Sequence, residues 1–239
     1  MVWWSLVIQA LVRYLLNKAG AVACVQGDFS TKTTMIKACI FDFGGVLVIT
    51  EDYRPRHAWD ERLGLPVGSV ERVVHYSDLW IQAQLGRISY DDYWKGVAER
   101  LYMRQEDIDA LRRDYFSGDR LNHRLVNVIK ELREQGMITA ILSNETAELL
   151  ERLQVLGLRD LFDQVFISAQ LGVMKPDPAA YRLALQALQV APQETIFLDD
   201  ALRNVRAAQQ LGLHAQLFRP ALNIRVEFHK TIQQAAVTD

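Results

Sequence analysis

The chain has 239 residues, half of them apolar, with 27 basic and 29 acidic side chains and a net charge of −2. Such a composition builds a buried core easily and excludes a disordered chain, while the near balance of charge excludes recruitment of nucleic acid or an anionic membrane by bulk electrostatics. The two cysteines, Cys24 and Cys39, fit neither a disulfide framework nor a redox or zinc spacing, and the five histidines are scattered. Reduced thiols in a cytoplasmic protein are therefore expected, and no zinc cluster.

Residues 1–34 read as an N-terminal extension, poorly ordered or a loosely attached helix, upstream of a natural start at Met35. Val2 to Leu16 is apolar but holds Gln9 and Arg13, and it falls short of the ~20 residues that span a bilayer. Ala21-Val22-Ala23 resembles a small-residue cleavage site, yet the basic n-region of a secretory signal is missing.

The run from Lys37 to Val48 is the stretch around which the chain is organised. Its strand-forming residues are cut by Asp42 and then by Gly44-Gly45, which predicts a buried strand delivering Asp42 to a tight turn at its carboxyl end. Next come four helical patterns, Arg56 to Leu63, Val70 to Leu85, Tyr90 to Tyr102 and Glu106 to Phe116. So long a crossover implies an inserted helical cap over residues 54–116.

From residue 121 helices and strands alternate: helix Asn122 to Gln135, strand Met137 to Leu142, helix Glu145 to Leu156, strand Val165 to Ile167. Helix Pro178 to Val190, strand Thr195 to Leu198, helix Ala201 to Leu211 and strand His214 to Phe218 complete the series. This order predicts an α/β, Rossmann-like parallel sheet covered by helices on both faces, built from residues 35–53 and 117–220. Residues 221–239 read as a C-terminal tail.

Parallel strands put their carboxyl ends on one side of the sheet. Asp42, Ser143-Asn144, Lys175 and Asp199-Asp200 with Asn204 therefore converge there. Each has a duller reading: a helix cap for Ser143 or Asn144, a solvated loop for Lys175, a helix-dipole partner for Asp200. As a set they suit a phosphoryl group and a divalent metal, because carboxylates and a main-chain carbonyl are hard ligands of the kind Mg²⁺ prefers. A hydroxyl, backbone N–H groups and a fixed cation can hold a transferring phosphoryl.

Phe41-Asp42-Phe43-Gly44-Gly45-Val46-Leu47, Leu142-Ser143-Asn144, Lys175-Pro176-Asp177 and Leu198-Asp199-Asp200 with Asn204 resemble, in order, the four motifs of the haloacid dehalogenase-like hydrolase superfamily. The resemblance covers about Ile36 to Phe218. It implies a Mg²⁺-dependent phosphatase acting on a small phosphorylated substrate, a sugar phosphate among the candidates. Asp42 would be the nucleophile and a metal ligand, Gly44 a metal ligand through its carbonyl, and Asp200 the other carboxylate ligand. Ser143, Asn144 and Lys175 would bind the phosphoryl, Lys175 also acting in catalysis, with Asp199 and Asn204 in support.

One position departs from the pattern. Phosphatases of this superfamily commonly carry a second Asp two residues after the nucleophile, as general acid and base, and here that residue is Gly44. Either the leaving group is a good one, as in a sugar 1-phosphate or acyl phosphate, or Glu51, Asp52 or a cap residue supplies the proton. Two other readings stand beside the phosphatase: a 2-haloacid dehalogenase, and a non-catalytic domain binding a phosphorylated ligand or a protein. In the cap, Trp59, Trp80, Tyr90, Tyr93 and Trp94 either line a pocket or pack the helices together. Nothing in the sequence specifies the oligomeric state.

Overall fold

The structure, a computed structural model, describes residues 35–237; the expectations for residues 1–34, Cys24 included, lie outside the described residues. Among the described residues there are seven strands: β1 (Ala38–Phe41), β2 (Val48–Thr50), β3 (Asp119–Leu121), β4 (Ile138–Ser143), β5 (Gln164–Ile167), β6 (Thr195–Asp199) and β7 (His214–Leu217). Five of them form one parallel sheet in the order β5-β4-β1-β6-β7. The fold is α/β and Rossmann-like.

Helices α1 to α5 (Arg54–Arg62, Ser69–His75, Asp78–Gln84, Tyr90–Arg100 and Ile108–Phe116) lie between β2 and β3. Helices α6 (His123–Glu134), α7 (Leu149–Val155), α8 (Ser168–Leu171), α9 (Pro178–Leu188), α10 (Leu202–Gln210) and α11 (Ile224–Val237) come after β3. Alternation along the strands sorts the core into two layers, since successive side chains point to opposite faces. Cys39, Phe41, Ile141, Ile196 and Leu198 pack with Leu125 and Ile129 of α6, Leu149 and Leu153 of α7, and Phe228 of α11. Ile40, Leu142 and Phe197 pack on the other side with Tyr181 and Ala184 of α9 and Val205 and Ala208 of α10. Burying one such large side chain stabilises the fold by about 1.5–3 kcal/mol. Within this core the Cys39 thiol is pushed up to about 12 by burial and stays protonated.

Three stretches differ from the sequence expectation. The helix expected over Val70 to Leu85 breaks after His75, because Ser77 caps a new helix by accepting from the Trp80 N–H at 3.3 Å. The helix expected from Glu145 starts at Leu149. The Glu145 N–H is diverted to the Ser168 hydroxyl and the Thr146 N–H to the Glu145 carboxylate, both at 3.0 Å. Residues 224–237, read as tail, form α11, whose Ile224, Phe228 and Ala235 are buried, with Phe228 stacked 6.0 Å from Phe41.

The helical insertion carries its own apolar cluster around Trp59, Tyr93, Trp94, Leu111 and Tyr115. At its base β2 and β3 form an antiparallel ribbon that pairs Val48 with Leu121 and Thr50 with Asp119. Buried Arg56 locks this junction. Its guanidinium donates to Thr50 Oγ1 (2.8 Å), Asp119 Oδ1 (3.1 Å), Glu71 Oε1 (2.9 Å) and the Tyr115 carbonyl (3.1 Å). A second attachment lies at Gln84. Its amide donates to the Asn144 carbonyl at 2.6 Å, and its own carbonyl accepts from Ser168 Oγ at 2.6 Å. Gly86 sits so close to the Ala169 carbonyl that any Cβ there would collide with it. Among the described residues no helix is long and apolar enough to cross a membrane.

Candidate active site

The register of the sheet pairs Phe41 with both Ile141 and Leu198, which brings the next residues of all three strands to one level at the carboxyl edge. Asp42 leaves β1 there, Ser143 ends β4 and Asp199 ends β6. Asp42, Ser143, Lys175, Asp199 and Asn204 are all buried, Lys175 and Asp199 completely.

A buried ammonium is tolerable only when paired. Lys175 Nζ lies 2.7 Å from Asp199 Oδ2 and 3.0 Å from Asp42 Oδ1. Burial works against its charge, but the two carboxylates outweigh that and hold its proton more tightly than usual. Asp199 has further donors: Asn204 Nδ2 reaches both of its oxygens at 3.0 Å and the Ala201 N–H donates to Oδ1 at 2.8 Å. Asp199 and Asn204, expected from the sequence to be supporting positions, form one hydrogen-bonded group around the Lys175 ammonium.

Asp42 is held differently. Its Oδ1 accepts from the Phe43 N–H at 2.7 Å as well as facing Lys175, so both contacts fall on one oxygen. Burial raises its carboxyl above the ordinary range, Lys175 pulls it back, and the charges of Asp199 and Asp200 push it up again. Asp200 is exposed, and burial of part of its carboxyl together with the Asp199 charge also raises it. Carboxylate oxygens of Asp42, Asp199 and Asp200 lie within 4.8 Å of one another. With Asp199 engaged by Lys175 and Asn204, Asp42 and Asp200 are the pair with ligand capacity toward a cation. Gly45 makes room for them: its φ is +75°, and a Cβ there would collide with the Asp200 carboxylate.

Ser143 and Asn144 part ways. Ser143 is a buried residue whose hydroxyl takes no hydrogen bond from the described residues, which suits it to an incoming oxyanion. Both ends of the Asn144 amide are engaged by Lys175, Nδ2 donating to its carbonyl (2.7 Å) and Oδ1 accepting from its N–H (2.8 Å). The Asn144 side chain therefore holds the lysine loop and is not free for the phosphoryl contact expected of it from the sequence.

Above this edge a cleft of about 440 Å³ opens between the sheet and the insertion. Gly44, Gly45, Asn144 and Asp200 form its floor, while Arg56, His75, Trp80 and Phe116 form part of its roof. Neither Glu51 nor Asp52 lines it. Asp52 is bound to Arg54 at 2.7 Å, which holds its carboxyl down at about 2. Glu51 borders a separate groove with Arg120 and Asn122. Of the five aromatic residues singled out in the insertion, Trp59, Tyr93 and Trp94 are buried packing residues, Tyr90 packs against them, and Trp80 borders the cleft. The sequence reading missed Arg152. It sits between the rings of Phe43 (4.9 Å) and Phe116 (5.1 Å) and 3.4 Å from Glu145, and no local motif marks it.

Several known proteins are similar to this chain. A sesquiterpene phosphatase, astK of Aspergillus oryzae, is 32% identical over 181 residues, 75% of this chain and 88% of that protein. The (S)-2-haloacid dehalogenase 1 of a Pseudomonas species is 30% identical over 197 residues, 75% of this chain and 82% of the other. Several longer curated relatives also match, and the chain spans only 17% to 36% of their length. A haloacid dehalogenase family enzyme from Bacteroides thetaiotaomicron, crystallised with magnesium and inorganic phosphate, superposes with a TM-score of 0.68 at 21% identity, covering 81% of this chain and 99% of that one. Residues 36–212 match the family described as haloacid dehalogenase-like hydrolase, and the chain belongs to that family.

Proposed function

We propose that this hydrolase is a Mg²⁺-dependent phosphatase that cleaves a small phosphorylated metabolite through an aspartyl-phosphate on Asp42. The observation that carries the reading is the Lys175 ammonium 3.0 Å from Asp42 Oδ1, with the Asp200 carboxylate alongside. Asp42 Oδ2 attacks phosphorus and the bond from phosphorus to the leaving oxygen breaks, its electron pair departing with that oxygen, which takes up a proton from solvent to leave as the alcohol. Lys175 and the Ser143 hydroxyl, with nearby backbone N–H groups, steady the charge on the transferring phosphoryl. Water then attacks phosphorus, the bond to Asp42 breaks, and the proton lost by water ends on phosphate.

Asp42, Asp200 and the Gly44 carbonyl would hold Mg²⁺, a set of hard oxygen donors, and the metal when bound would offset the repulsion between a carboxylate nucleophile and an anionic phosphate. The three carboxylates argue against a dehalogenase, for a halide displacement that needs no metal is only hindered by further negative charge beside its nucleophile. The free, buried thiol of Cys39 fits a cytoplasmic setting.

The test is phosphate release from acyl, aryl and sugar phosphates, with and without Mg²⁺, in wild type and Asp42→Asn. Metal-dependent turnover lost in the variant supports the phosphatase. Halide release from a 2-chloro acid without metal would move the assignment to a dehalogenase, and Mg²⁺ binding without any turnover would move it to a binding domain.

A further inference from the structure

The phosphatase reading leaves the substrate open, and the roof of the cleft bears on it. Three arginines line the cleft among the described residues, and two of them are paired with carboxylates. Arg56 is paired with Glu71 at 2.9 Å and Asp119 at 3.1 Å. Arg152 is paired with Glu145 at 3.4 Å and flanked by two rings. Arg219 donates to the main-chain carbonyls of Asp200 (2.9 Å) and Phe218 (2.8 Å). Two polar side chains of the roof are also engaged: the Gln84 amide donates to Asn144, and His75 Nδ1 meets the Tyr115 hydroxyl at 3.1 Å.

A second phosphate or a carboxylate seated on Arg56 or Arg152 would have to break an ion pair. The roof also offers ring surface. Tyr53, Tyr76, Trp80 and Phe116 border the cleft, and Tyr76 and Tyr53 are 77% and 44% exposed. Ring faces over a site that grips one phosphate suit an apolar body, which gains by leaving water and needs no polar partner. The volume lies within the range of small-molecule sites.

Resting on the phosphatase reading, we infer that the substrate is the phosphate monoester of a neutral, apolar alcohol, with its single phosphate on the sheet edge and its apolar body against Tyr76, Trp80 and Phe116. Sugar phosphates and bisphosphates are poor substrates.

The experiment compares kcat/KM, with Mg²⁺ present, for n-octyl phosphate, glucose 6-phosphate and acetyl phosphate. The first two share a primary alkoxide leaving group, so their ratio reads the cleft alone; acetyl phosphate reads the sheet edge. Octyl phosphate should exceed glucose 6-phosphate by at least about tenfold, through KM, in keeping with the gain from burying several methylenes. Trp80→Ala and Tyr76→Ser should each shrink that ratio severalfold, and Tyr76 is exposed enough that its replacement does not endanger the fold. Glucose 6-phosphate equal to or better than octyl phosphate, or a ratio unmoved in both variants, overturns the inference while acetyl phosphate turnover leaves the phosphatase intact. Loss of acetyl phosphate turnover as well overturns both.

Discussion

The amide of Asn144 is bonded at both ends to the main chain of Lys175, 2.7 Å to its carbonyl and 2.8 Å from its N–H. A residue that ends one strand motif thereby aims the cation of another. Asn144→Ala leaves two main-chain groups without partners, a cost of about 1–3 kcal/mol. Its lysine should also drift, so kcat falls at least tenfold with less change in KM. Urea denaturation and steady-state kinetics check both; an unaltered kcat would mean that the loop holds itself.

Lys175 neutralises Asp42 and Asp199 in a buried site. Lys175→Met should lower stability by about 3–5 kcal/mol, because two buried carboxylates then face each other with no cation between them. Adding Asp199→Asn should recover part of the loss, since it removes one of those charges. A double variant no more stable than Lys175→Met would show that the lysine's stem, and not its charge, matters to the fold.

Gly44 and Gly45 are adjacent and behave oppositely. Gly44 has no left-handed backbone and nothing lies within 4 Å of a Cβ built there, whereas Gly45 has φ +75° and abuts Asp200. Gly44→Asp should fold normally and speed hydrolysis of alkyl phosphates by roughly 10², the low end of what a positioned acid contributes, with little change for aryl phosphates. Gly45→Ala should cost about 1–2 kcal/mol in backbone strain and raise the Mg²⁺ concentration needed for half-maximal rate. Metal titrations of the two variants separate these effects.

His75 packs among Trp80, Tyr115 and Phe116. Burial, then the charges of Arg56 and Arg152, lowers its pKa from 6.5 to about 3. Between those values the unfolded ring carries a proton that the folded ring refuses, so stability falls as pH drops through that window. At pH 5 the loss is at most about 2 kcal/mol; the ring is only partly buried, and about 1 kcal/mol is the better expectation. Urea midpoints at pH 7 and pH 5 should therefore differ less in His75→Gln than in wild type.

The polar residues of the site were legible because each interrupts an apolar strand at its carboxyl end, a local signal that Asp42, Ser143 and Asp199 all give. Their wiring was not. That Asn144 serves Lys175, thirty-one positions away, results from the order of strands in the sheet and has no local trace. The three-residue strands β2 and β3 are too short for a period to appear. The broken helix at Ser77-Asp78 carried a cap signal, and α11 carried apolar residues Ile224, Phe228, Ile232 and Ala235 at helical spacing, so both were readable in principle.

The ribbon of β2 and β3 has a consequence for how this chain tolerates change in length. Because Thr50 and Asp119 are paired, residues 51–118 leave and rejoin the core at neighbouring points. To the central sheet the whole helical segment is one closed loop, and doubling the length of a flexible loop adds only about 0.6 kcal/mol to the entropy of closing it. Chain can be gained or lost between those two residues with little effect on whether β1 finds β4 and β6.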